Sequence, residues 1–161
     1  MASLNADRVT REEGRGDMTS SLMLSELQKV HDNLRSAMAE MDAVTREPVA
    51  ERGRLSVARW RLSQASLKRR TLWRRVFQHM LPRVGANETA VLQALQSANL
   101  ESLRNSSAHV GNWTIGTIEA DWSGYCNASR AIRLEMSACM DAEERLIFGL
   151  LAEDARSAER W

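Results

Sequence analysis

Apolar residues return every three or four positions along four stretches of the chain, with polar residues filling the intervals. In the first, Leu24, Leu27, His31, Leu34, Met38 and Met41 alternate at spacings of 3 and 4. That spacing marks a helix with one buried stripe. It predicts a helix over 20–46, stopped by Pro48. The second stretch, 50–81, carries Leu55, Ala58, Leu62, Ala65, Arg69, Leu72, Val76 and His79 on the same alternation, widened by Trp73, Phe77 and Met80. Pro82, Gly85 and Asn87 break it, and Asn87 is positioned to cap a third helix from Glu88. Leu92, Leu95, Leu103, Val110 and Trp113 supply the apolar contacts of that helix, whose middle is small and polar: Ser97, Asn99, Ser102, Asn105, Ser106, Ser107. Its end, GNWTIGTIEADW, has low helix propensity and predicts a kink or tight packing at Gly111 and Gly116. The fourth helix, 125–156, is capped by Asp121 or Ser123 and reads Tyr125, Ser129, Ile132, Met136, Cys139, Glu143, Leu146, Leu150 along its seam.

Helices of this length each span about 40–48 Å at about 1.5 Å per residue. Short breaks between them predict an all-α fold, an antiparallel up-down-up-down four-helix bundle over 18–161. Residues 1–17 hold few large apolar side chains and read as a flexible tail. Met18 is an alternative start, with Thr19 or Ser20 as the helix cap.

Composition narrows the function classes. The 161 residues suffice for one domain. Two cysteines, Cys126 and Cys139, exclude a disulfide framework, and three histidines, His31, His79 and His109, make a histidine-rich metal site hard to fill. No apolar leader and no membrane-length apolar run occurs, so a cytoplasmic protein with reduced thiols is expected. No phosphate loop, dinucleotide fingerprint, HExxH or GxSxG motif is present, and no catalytic constellation emerges. The net charge is only +1, yet the stretch 48–84 holds ten Lys or Arg against one acid, Glu51. Arg61, Lys68, Arg70, Arg74 and Arg75 form a candidate basic surface on that helix. Acids on neighbouring helices offer them partners, and no nucleic-acid motif accompanies them. The sequence therefore argues against nucleic acid and membrane, and leaves a protein partner and self-association open.

Folding the helices about their breaks brings polar seam residues to one depth. His31, Arg69, Cys139 and Asn105 or Ser106 share the middle, with His109 and Glu143 about one turn away. At this point the chain resembles the hemerythrin-like, HHE cation-binding family over roughly 20–155. The resemblance is carried by "ELQKVHDNLRSAM", "LWRRVFQHMLP", "HVGNWTIGTIEADWSGYCNAS" and "CMDAEERLIFGLL". It implies a helical bundle holding a di-iron site between its helices. Against the family's HxxxEE..LFPLL-like pattern, Cys139 stands at the histidine, Glu143 at the glutamate and Gly149 at the proline. In the second helix Leu72 holds the histidine position and Val76 the glutamate position; in the third, Asn105 and His109 keep an HxxxH spacing with one histidine missing.

What survives as a vestigial metal set is His31, His109, Cys139 and Glu143. Each also has a plainer reading: hydrogen-bonded core histidines, a small buried thiol, a paired carboxylate. Arg69 at the same depth would repel a divalent cation. The expectation is that Arg69 replaces the lost metal charge and pairs with Glu143, so that no cofactor is needed. The function expected is non-enzymatic: a binding, sensing or regulatory module. The alternatives are an iron-binding bundle for oxygen or redox sensing, and a basic-helix protein that engages another protein or nucleic acid.

Overall fold

The computed structural model describes residues 3–160, with side chains from Ser20 onward. The sequence predicts a flexible tail over 1–17 and a helix start at Ser20, whereas the first helix already begins at Ser3. The chain is all-α. Helix α1 spans Ser3–Thr45, α2 Arg52–Met80, α3 Ala86–Asn112, α4 Ile115–Ala120 and α5 Trp122–Ala158. A short 3-10 turn, Leu81–Arg83, joins α2 to α3. No strand occurs among the described residues, and none of their helices is long and apolar enough to cross a membrane.

The starts of α2, α3, α4 and α5 are each set by a local hydrogen bond or a turn residue. Glu51 caps α2, its carboxylate accepting from the Gly53 and Arg54 amides at 2.9 and 2.8 Å. Gly85, not Asn87, precedes α3 and offers no side-chain cap. Extended backbone at Gly85 lets the helix begin one residue before Asn87. Asp121 caps α5 by accepting from the Gly124 amide at 2.9 Å. The weak segment after Gly111 resolves as a break. Trp113 leaves the helical region, and Thr114 caps the separate six-residue α4 through the Thr117 amide. Close packing at the glycines is absent: a Cβ on Gly111 would meet nothing within 4 Å.

Contacts run in reverse order between neighbours. Along α1 and α2, Ser20 meets His79, Glu40 meets Arg61, and Val44 clusters with Leu55. Along α1 and α5, Ser20 meets Asp154, Arg35 meets Asp141, and Thr45 meets Arg133. α1 packs closely on α2 and α5, and α3 on α5. α2 and α3 meet through long side chains instead. Trp73 donates to Gln96 at 2.6 Å, Arg69 reaches Asn99, and Arg59 donates to the Trp113 carbonyl at 2.8 Å.

The apolar interior falls into three clusters. Met23, Leu27, Leu72, Trp73, Val76, Met80, Leu92, Ile147 and Leu151 fill the end near the 3-10 turn. Leu34, Met38, Met136 and Met140 fill the middle. Met41, Val44, Leu55, Ala58, Ile118 and Tyr125 fill the far end. Each fully buried large side chain contributes about 1.5–3 kcal/mol by leaving water.

The buried stripe of α5 departs from the expected seam. It reads Tyr125, Ser129, Arg133, Met136, Met140, Glu143, Ile147, Leu151. Ile132 and Cys139 are only half-buried, and Leu146 is exposed. A strict 3/4 alternation drifts against a straight helix of about 3.6 residues per turn, so the seam slips by one position. Val110, expected inside, is 54% exposed.

Candidate functional site

The first two apolar clusters are separated by a polar layer with one residue from each long helix: His31 on α1, Arg69 on α2, Asn99 on α3 and Glu143 on α5. All four are buried, and Glu143 is 0% exposed. His31 lies between Leu27 and Leu34 on the α1 stripe, Arg69 four residues after Ala65 and three before Leu72, and Asn99 four after Leu95. Helical spacing therefore aims all four inward.

Glu143 is the hub. Arg69 donates from Nε to Oε2 at 3.2 Å and from Nη2 to Oε1. Asn99 donates from Nδ2 to Oε1 at 2.9 Å, while its own Oδ1 accepts from Arg69 Nη2 at 2.6 Å. His31 Nε2 lies 2.7 Å from Oε2. Burial would push the Glu143 carboxyl up; the His31 hydrogen bond and the Arg69 guanidinium outweigh it and hold the carboxyl below the usual glutamate range.

The layer reaches the surface through His31. Its Nδ1 lies 2.9 Å from Oε1 of Glu144, which also accepts from Arg35 Nη1 at 2.6 Å, and Arg35 extends to Asp141 at 3.3 Å. Carboxylates face both ring nitrogens, Glu144 at Nδ1 and Glu143 at Nε2. Arg35 and Arg69 supply the cations that meet Asp141, Glu144 and Glu143. Phe148 packs beside the ring, centroids 5.5 Å apart. No buried side-chain nitrogen or oxygen lacks a partner among the described residues.

The expected set is thus divided. His31, Arg69 and Glu143 come together. Asn99 takes the place expected of Asn105 or Ser106. Asn105 is exposed and donates to Glu135 at 2.9 Å, and Ser106 turns back onto the Leu103 carbonyl. Asn99 sits four residues after Leu95 on the third-helix stripe, and continuing that spacing is the signal that picks it out. Cys139 is half-buried at the edge of the layer, facing Ser102, and burial pushes its thiol pKa up.

His109 belongs elsewhere. It stacks on Tyr125 with centroids 5.6 Å apart, in an aromatic group completed by Trp113 and Trp122. His109 follows Asn99 by ten residues on α3, which places it about 15 Å from the polar layer along the helix axis. Burial, then Arg59 and Arg133, lower the His109 pKa.

The described residues contain no group of three or more His, Cys, Asp or Glu arranged to hold a metal ion. The donor chemistry gives the reason. Both oxygens of Glu143 are already engaged, and a cation there would meet the Arg69 guanidinium at hydrogen-bond distance. A di-iron centre does not fit these residues.

The basic residues of α2 do not form one face. Arg61 pairs with Glu40 at 2.8 Å, and Arg70 turns inward to Ser66 at 3.0 Å. Lys68, Arg74 and Arg75 are exposed and form no salt bridge with another described residue. Compared with family models, curated proteins and solved structures, the chain matches none.

Proposed function

We propose that the chain is a non-enzymatic, antiparallel four-helix bundle that acts as a binding, sensing or regulatory module, with a polar layer standing where hemerythrin-like proteins hold iron. The observation that carries this reading is the guanidinium of Arg69 across both oxygens of the fully buried Glu143. A fixed positive charge there does the electrostatic work of a metal and asks for no cofactor. The reverse-order contacts of α1 with α2 and α5, and of α3 with α5, support the bundle topology. His31, Glu143 and Cys139 are then remnants of a ligand set, and His109 serves the aromatic end.

The test is metal analysis with an optical spectrum on protein purified without oxygen. Folded protein free of iron is the expected result. Iron bound in stoichiometric amount, with charge-transfer absorption, overturns the reading and favours oxygen or redox sensing.

A further inference from the structure

Because α2 and α3 are held apart by long side chains, a groove of about 290 Å³ opens between them, with α5 as its floor. Its polar lining is Ser63, Ser66 and Arg70 from α2 and Ser106, Ser107 and His109 from α3. Its apolar lining is Ile132 and Met136 on the α5 floor, with Leu62 from α2 and Val110 from α3. No carboxylate lines it.

Arg70 is the unusual member. It is half-buried and meets no carboxylate among the described residues; its one side-chain bond there is to Ser66. Burial, and then the neighbouring Arg69, lower its pKa from the ordinary arginine value, as befits a cation with no anion beside it. A half-buried guanidinium is stabilised by an anion, and its planar fork suits a carboxylate. The neighbouring cation, Arg69, already has Glu143. Serine hydroxyls can turn to donate, and the His109 ring adds a nitrogen near the same mouth. The four apolar side chains ask for a hydrocarbon body behind the charged head, and the volume limits that body to a small one.

We propose that this groove is a binding site for a small organic monocarboxylate, an aromatic or short-chain acid, whose carboxylate pairs with Arg70 and whose hydrocarbon lies against Ile132 and Met136. The site goes beyond the metal-free core: iron in the polar layer would overturn that reading and leave this one intact.

The experiment is a two-dimensional NMR titration of the full chain with hexanoate, using hexanol and inorganic phosphate as comparison probes. Hexanoate is expected to give saturable shifts at Ser66, Ser106, Val110 and the His109 ring, and hexanol to bind about tenfold or more weakly for want of the charged hydrogen bond. Arg70→Met should weaken hexanoate by a similar factor, Arg70→Lys should recover part of the loss, and Arg75→Met, outside the groove, should leave it unchanged. Circular dichroism verifies that each variant is folded. If Arg70→Met does not fold, the hexanoate and hexanol comparison on the native chain decides alone. No saturable shift, equal binding of the neutral probe, shifts that map outside the groove, or binding of phosphate without hexanoate overturns the proposal.

Discussion

A guanidinium inside a helical core is costly unless a matching anion pairs with it, and Arg69 meets Glu143 through both Nε and Nη2. Removing one partner strands the other without water. Arg69→Met should therefore destabilise the fold by about 3–5 kcal/mol, while Arg69→Met with Glu143→Met recovers a large part of that loss. Urea unfolding of the four species measures the coupling, and strictly additive costs would dismiss the pairing. Asn99→Ala leaves Oε1 of Glu143 with Arg69 alone and should cost about 1–3 kcal/mol. At this scale the sequence was partly transparent. His31 and Arg69 interrupt otherwise apolar stripes, so their spacing alone announces them. Asn99 was hidden because the middle of α3 is crowded with small polar residues, and only the position after Leu92 and Leu95 separates it from Asn105.

Elements are delimited by capping chemistry, and the last long helix offers a sharp case. Asp121 caps α5 through the Gly124 amide, and a Cβ on Gly124 would collide with the Asp121 carboxylate. Asp121→Ala should cost about 1 kcal/mol. Gly124→Ala should cost a similar amount by dislodging the cap, and joining the two substitutions should be no worse than Asp121→Ala alone. Thermal melts of the three variants distinguish this from a general intolerance at the turn. Helix extents were legible wherever a proline or a capping carboxylate punctuates the chain, as at Pro48 and Asp121. The α5 seam was not, because Cys139 and Met140 are both apolar enough to be inside. Which one faces the core is settled by the cumulative turn of a straight helix, a property of the whole element.

For the molecule as a whole, stability should respond to acid in two stages. His79 and His109 have lowered pKa values, from burial first and then from Arg83, and from Arg59 and Arg133, respectively; Asp154 opposes the shift at His79. The fold resists protonating them, so their contribution is present above the ordinary histidine value of about 6.5 and is lost as pH falls through it. Glu143 and Glu144 are held below the usual carboxylate range, Glu144 chiefly by its bond to Arg35. Their contribution persists to lower pH and is lost only as the carboxylates protonate. Denaturant midpoints followed from neutral pH downward should show both declines. Glu143→Gln should flatten the lower one, and His109→Asn should reduce the upper one.

The spacing between α2 and α3 also bears on how the molecule breathes. α1 lies close against two helices, whereas α3 is anchored closely along α5 and reaches α2 only by side chains such as Trp73 and Arg59. Among the long helices, α3, running from a glycine without a side-chain cap to a break at Trp113, is therefore the one whose departure disturbs the fewest backbone neighbours. Amide hydrogens of α3 should exchange with deuterium ahead of those in the cores of α1, α2 and α5, and they should do so together, as one sub-global opening. Such an opening would widen the groove beside Arg70 before the rest of the fold lets go.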